Sequence, residues 1–78
     1  YILRTDRDTL YTGQTKDLAN RLLMHKTGKG SKYLRSFKKF DIVYQEKCDS
    51  LSLALKRERA IKKLKKQDKE MLVRSNNL

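Results

Sequence analysis

Seventy-eight residues, 37% apolar and 37% charged, make one domain with a single small core, which excludes a separate substrate domain and leaves any activity to surface residues or one shallow site. Twenty Lys and Arg against nine Asp and Glu leave a formal charge of +11, so a polyanion is the natural partner. The basic residues are spread over the middle and second half without flanking a lipid-inserting apolar face, which favours nucleic acid over a membrane.

In chain order, Tyr1 to Thr5 and Leu10 to Gly13 are short runs of strand formers around the polar turn material Asp6 to Thr9, the pattern of a β-hairpin. A three-residue loop, Asp6 to Asp8, sets Thr5 against Thr9 and Leu3 against Tyr11, and puts Tyr1 and Tyr11 on one sheet face; a one-residue slip would separate the two phenols. Leu18, Ala19, Leu22 and Leu23 recur at helical spacing between Asp17 and Lys26, with Thr15 or Asp17 as the cap and Thr27 to Ser31 as the stop. A helical turn is expected over 32–37, a third strand over Asp41 to Glu46, a helix from Leu51 to about Lys66 capped by Ser50, and a last helix from Gln67 to Arg74. The expected architecture is α+β, a small three-stranded antiparallel sheet flanked by helices in the order β-β-α-β-α-α. It forms one domain over residues 1–74, with 75–78 as a flexible tail. No apolar run is long enough to cross a bilayer and no signal-peptide pattern is visible. Cys48 is solitary, which rules out an internal disulfide or a thiolate zinc site and points to a reducing cytoplasm. A monomer is expected.

Arg21 and His25 stand four apart, hence on one face of the first helix, where a guanidinium fork for phosphate oxygens would lie beside the only imidazole of the chain. The alternative is a plain helix surface, with Asp17 and Arg21 as an i,i+4 ion pair and His25 exposed. Tyr1 and Tyr11, taken singly, are ordinary strand aromatics. Glu58 has Leu51, Ala54, Leu55 and Ile61 around it on the helical wheel, and a carboxylate in an apolar sector needs compensation from a bound cation or from a neighbouring Lys or Arg. The Thr27 to Ser31 loop fails as a phosphate loop, since the position five before Gly28 is Leu23 and Gly30 follows Lys29. Lys29, Lys32, Arg35, Lys38 and Lys39, interleaved with Tyr33 and Phe37, form a candidate nucleic-acid track, unless the aromatics are core and the lysines merely solvated. The run from Lys56 to Lys66 reads as a solvated helix back.

Tyr1 followed by Ile2-Leu3-Arg4, then Tyr11-Thr12-Gly13, Asn20 to His25, the loop Thr27 to Tyr33 and Ala54 to Glu58 occur in one order along the whole chain. This set resembles the GIY-YIG nuclease domain, and specifically its small stand-alone bacterial branch, with Thr12 where the family favours isoleucine. The resemblance implies a metal-dependent endonuclease that hydrolyses phosphodiester bonds in DNA, with DNA repair as a setting. It implies Tyr1 as general base, Tyr11 or His25 accepting or relaying its proton, Arg21 on the scissile phosphate, and Glu58 holding Mg²⁺, with Mn²⁺ as a substitute. A phenol ordinarily titrates near about 10, so such a base needs nearby positive charge. The rival expectations are a non-catalytic module that binds DNA or RNA on the same fold, and a basic ribosome- or RNA-associated protein in which the tyrosines and Glu58 are structural.

Overall fold

Ile2–Thr5 (β1) and Leu10–Thr12 (β2) pair antiparallel in the predicted register, with Leu3 opposite Tyr11, Ile2 opposite Thr12 and Arg4 opposite Leu10. The computed structural model describes residues 1–29, 34 and 39–75. The hairpin loop closes through Thr5 N–H to Thr9 O (2.9 Å), Asp8 N–H to Thr5 O (3.0 Å) and a 2.6 Å contact between the Thr5 and Thr9 hydroxyls. Asp8 takes φ 63°, the left-handed conformation that closes three-residue hairpin loops and that Asp tolerates better than most residues.

The third strand, β3, runs Phe40–Tyr44, one residue earlier at its start and two shorter at its end than the sequence suggests. It pairs antiparallel with the far edge of β1, giving the order β2-β1-β3, and the ladder runs out where Tyr44 meets Ile2 at the beginning of β1. Ile2 faces Tyr44 while Leu3 faces Ile42, so Val43 is an extra residue, a bulge. The bulge turns Tyr44 onto the face of Ile2, away from the face of Ile42.

Alternation sends Tyr1, Leu3 and Tyr11 to one face and Ile2, Leu10 and Thr12 to the other. On the first lies α1, Leu18–Lys26, whose His25 ring centroid is 5.7 Å from Tyr11 and 6.1 Å from Phe40. On the second lie α2, Leu51–Lys62, and α3, Lys66–Ser75: Ile61 joins Ile2 and Tyr44 in the core, with Leu10, Val43, Leu72 and Val73 packed against it. The central strand is therefore covered on both faces, and Ile2 and Leu3 are fully buried. Each such side chain contributes about 1.5–3 kcal/mol.

Asp17, and not Thr15, caps α1, accepting from Asn20 N–H at 3.1 Å. The helix is rotated so that Leu18, Arg21, Leu22 and His25 turn inward together, as positions i, i+3, i+4 and i+7 must. Leu23 and Ala19, counted in the apolar stripe by spacing, are exposed. Ser50 caps α2 as expected, accepting from Leu53 N–H at 3.2 Å, but the helix stops at Lys62, short of Lys66. No glycine or proline marks this stop. The turn that follows lays α3 on the sheet, where Leu72 and Val73 pack against the core, Lys66 Nζ donates to Asp8 O at 2.6 Å, and Arg4 holds Glu70 bidentately at 2.8 and 2.5 Å. The last helix accordingly begins at Lys66 and takes in Ser75, assigned to the tail by sequence. The helical turn expected over 32–37 lies outside the described residues except for Leu34, which is buried, as do 76–78 of the expected tail.

The Arg4 pair holds the Glu70 carboxyl below the usual carboxylate range. A depressed pKa contributes stability that is complete above the unfolded value, about 4.3, and is lost as pH falls through the folded value. Glu70→Gln is expected to cost about 1 kcal/mol in urea unfolding at pH 7, with the gap to wild type closing in acid below about pH 4. A gap that persists unchanged as pH falls well below that value would show that the ionised bridge does not fasten α3.

Candidate active site

Because β1 is antiparallel to both neighbours, its start and the ends of β2 and β3 lie at the same end of the sheet. The loops that leave β2 and β3 there, together with the first turns of α2, wall a cleft of about 670 Å³, lined among others by Tyr1, Gly13, Cys48, Arg57 and Glu58. Tyr1 extends the hairpin by one pair: Gly13 N–H donates to Tyr1 O and the Tyr1 nitrogen donates to Gly13 O, each at 3.0 Å. The phenol lies back across Gly13, where an added Cβ would come within 2.5 Å of Tyr1 Oη. Only glycine leaves that space.

Tyr1 Oη stands 2.8 Å from His25 Nε2. The Tyr1, Tyr11 and His25 rings form a triangle with centroid separations of 6.4, 6.1 and 5.7 Å. His25 is 3% exposed, and its Nδ1 has no partner among the described residues. Burial, and then the positive charge of Arg21, hold the imidazole below its ordinary pKa, so it is neutral near pH 7. Burial above all, with Tyr11 and Glu58 adding to it and Arg21 opposing, pushes the Tyr1 phenol up to about 12. In the free domain, therefore, the phenol keeps its proton and the imidazole is neutral.

Arg21 is half-buried one turn before His25, and its charge bears on both Tyr1 and His25. The alternative reading of this helix, with an Asp17–Arg21 ion pair and an exposed histidine, is not what forms: Asp17 is engaged at the helix N-terminus and His25 is buried. Glu58 lines the cleft with Tyr1 and is 18% exposed. Its apolar surround is thinner than the helical wheel suggests, since Ile61 is buried, Ala54 and Leu55 are half-buried and Leu51 is 52% exposed. Lys62 Nζ lies 3.7 Å from its carboxylate, an ion pair too long for a hydrogen bond. Among the described residues no group of three or more His, Cys, Asp or Glu is placed to hold a metal. The single carboxylate still fits Mg²⁺, a hard cation that keeps most of its own water.

Of the basic track, Lys29 and Lys39 are exposed, whereas Lys32, Arg35 and Lys38 lie outside the described residues. Sequence reasoning passed over Tyr44, Glu46 and Arg57. Arg57 Nε donates to Glu46 Oε1 at 2.6 Å and the Tyr44 hydroxyl donates to Glu46 Oε2, so Arg57 faces the cleft and not the solvated helix back to which its run was assigned. The one hint in the chain is an acid, Glu46, following a strand in a lysine-rich neighbourhood, too weak a signal without the bulge that re-aims Tyr44.

The sheet order and the helices on its two faces define a small α+β domain with a cleft at one end of the sheet, which Tyr1 and Glu58 line and Tyr11, Arg21 and His25 do not. The chain belongs to the GIY-YIG catalytic domain family, a family of nucleases, whose model matches residues 1–71. It is similar to a UPF0213 protein of Yersinia pestis strain Pestoides F, with 47% identity over 73 residues, covering 94% of this chain and 77% of the relative. A UPF0213 protein of Yersinia pseudotuberculosis strain YPIII is similar to the same extent and over the same shares. That name specifies no activity. No solved structure matches the chain. None of the described helices is long and apolar enough to cross a membrane.

The solitary histidine makes the site directly observable. In an NMR titration the His25 ring protons should report a midpoint below the ordinary value of about 6.5, and Arg21→Gln should move it upward by removing the cation beside it. A wild-type midpoint at or above 6.5 would contradict the buried environment.

Proposed function

We propose that the domain is a metal-dependent endonuclease that hydrolyses phosphodiester bonds, with DNA as its substrate. The observation that carries this reading is the 2.8 Å contact between the Tyr1 phenol and the buried His25 imidazole, with the Arg21 charge bearing on both and Glu58 lining a cleft with Tyr1. Each group suits one part of the reaction.

A water attacking phosphorus must lose a proton, and the Tyr1 oxygen accepts it as the phenol's own proton passes to His25 Nε2, with Tyr11 beside both rings. The two transfers leave no free phenolate, which the raised pKa of Tyr1 would oppose. His25 is a poor acceptor in the free domain because burial, and then the charge of Arg21, disfavour its protonated form. An arriving phosphate offsets the guanidinium, so imidazole basicity rises when substrate is bound. Arg21 offers its planar fork to the nonbridging oxygens, where charge grows as the new P–O bond forms and the bond to the leaving oxygen breaks. Family members are generally metal-dependent, and Glu58 is the residue that would hold Mg²⁺, or Mn²⁺ in its place, supplying charge for the phosphate and leaving oxygens. One carboxylate argues for one ion.

Purified protein should nick plasmid or branched DNA only when Mg²⁺ or Mn²⁺ is added. Glu58→Gln keeps size and packing but removes the charge, and should abolish cleavage while leaving DNA binding nearly intact. Arg21→Ala should lower turnover by at least about a hundredfold. Metal-dependent cleavage that Glu58→Gln does not reduce would contradict this mechanism, and tight binding without cleavage of any substrate would make the domain a binding module.

A further inference from the structure

Arg57 immediately precedes the proposed metal ligand, and no part of the proposed mechanism uses it. It lines the cleft with 43% of its side chain exposed, while its Nε is held by Glu46 at 2.6 Å. We infer that Arg57 is a phosphate-binding residue of this cleft, oriented by Glu46 and Tyr44, and that it grips a nucleic-acid phosphate other than the one proposed at Arg21, which does not line the cleft. The inference rests on the nuclease reading only for the identity of the ligand as a nucleic-acid strand.

Three features support it. The bulge at Val43 places Tyr44 on the α2 face of the sheet, and there its hydroxyl and Arg57 Nε occupy the two oxygens of Glu46. With both oxygens facing donors, Glu46 presents little unsatisfied negative charge to an anion. Burial works to raise its pKa, but the bonds from Arg57 and Tyr44 outweigh this and keep it ionised. Finally, the bond to Glu46 uses only Nε of a guanidinium that carries five N–H donors, so the terminal amino groups retain hydrogens for phosphate oxygens. An arginine clamped through Nε also loses less side-chain freedom on binding than an unrestrained one. The cleft is not uniformly basic: Lys16 and Lys47 join Arg57 on its walls, against Glu46, Asp49 and Glu58.

The test is DNA binding measured by fluorescence anisotropy on a labelled duplex in EDTA, across a series of salt concentrations. Wild-type log K against log salt has a slope set by the phosphates neutralised, about 0.9 for each. Arg57→Gln should reduce the magnitude of that slope by about one phosphate's worth. Arg59→Gln, an equal charge change at an exposed position of the same helix outside the cleft lining, should leave it unchanged. Arg57→Lys keeps the charge but cannot serve Glu46 and a phosphate with one planar fork. It should retain the slope and weaken binding several-fold, and it decides the matter alone if circular dichroism shows Arg57→Gln to be unfolded. An unaltered slope in Arg57→Gln, an equal loss in Arg59→Gln, or wild-type affinity in Arg57→Lys would overturn the inference. Because the readout is binding without metal, a domain that never cuts can pass this test and a domain that cuts can fail it.

Discussion

Tyr1 and Gly13 exchange two backbone hydrogen bonds of 3.0 Å, and the geometry of the site follows from that pairing. It continues the register of Leu3 with Tyr11, so both phenols emerge on the face covered by α1, at the end of the sheet where β1 begins. Side chains alternate with period two, and a slip of one residue would turn Tyr11 into the α2 side and remove the close approach at Gly13. The central strand makes such a slip costly. Ile2 and Leu3 are buried on opposite faces, and exchanging them would disturb two cores at once.

Because the sheet is covered on both sides, residues from α1 and from α2 can meet only around its open end. Arg21 and His25 come from one layer, Glu58 and Arg57 from the other, and Tyr1 stands between them at the start of the central strand. Placement at a sheet end solves an electrostatic problem. The Arg57, Glu46 and Glu58 side chains stay partly exposed there, while His25 reaches far enough inside that burial, and then Arg21, keep it neutral.

The two halves of the molecule are fastened differently. The α1 face relies on ring contacts of Tyr1, Tyr11 and Phe40 with His25, so the proposed proton acceptor is also a packing residue. The α2 and α3 face combines an aliphatic cluster with ion pairs from Arg4 to Glu70 and from Arg57 to Glu46. One Arg–Glu pair closes α3 on the sheet and the other sits in the cleft. The same chemistry is structural in the first and available to a ligand in the second, and exposure makes the difference: 30% and 23% for the first pair, 43% and 28% for the second.

The sequence by itself determined the strand and helix order, the hairpin register, the cap at Ser50, a cap at Thr15 or Asp17, and the family motifs around Tyr1, Tyr11, Arg21, His25 and Glu58. These are local properties, written in spacing of two or about four residues, turn chemistry and short-range hydrogen bonding. Tertiary structure alone decided that His25 and not Leu23 faces inward, that α2 ends at Lys62 without a breaker, and that a bulge at Val43 delivers Tyr44 to Glu46 and Arg57. Each depends on contacts between residues distant in the chain. A run of lysines and arginines carries no mark of which member will meet a carboxylate eleven positions earlier, as Arg57 meets Glu46, so charge patterning alone left the cleft-facing arginine among its solvated neighbours.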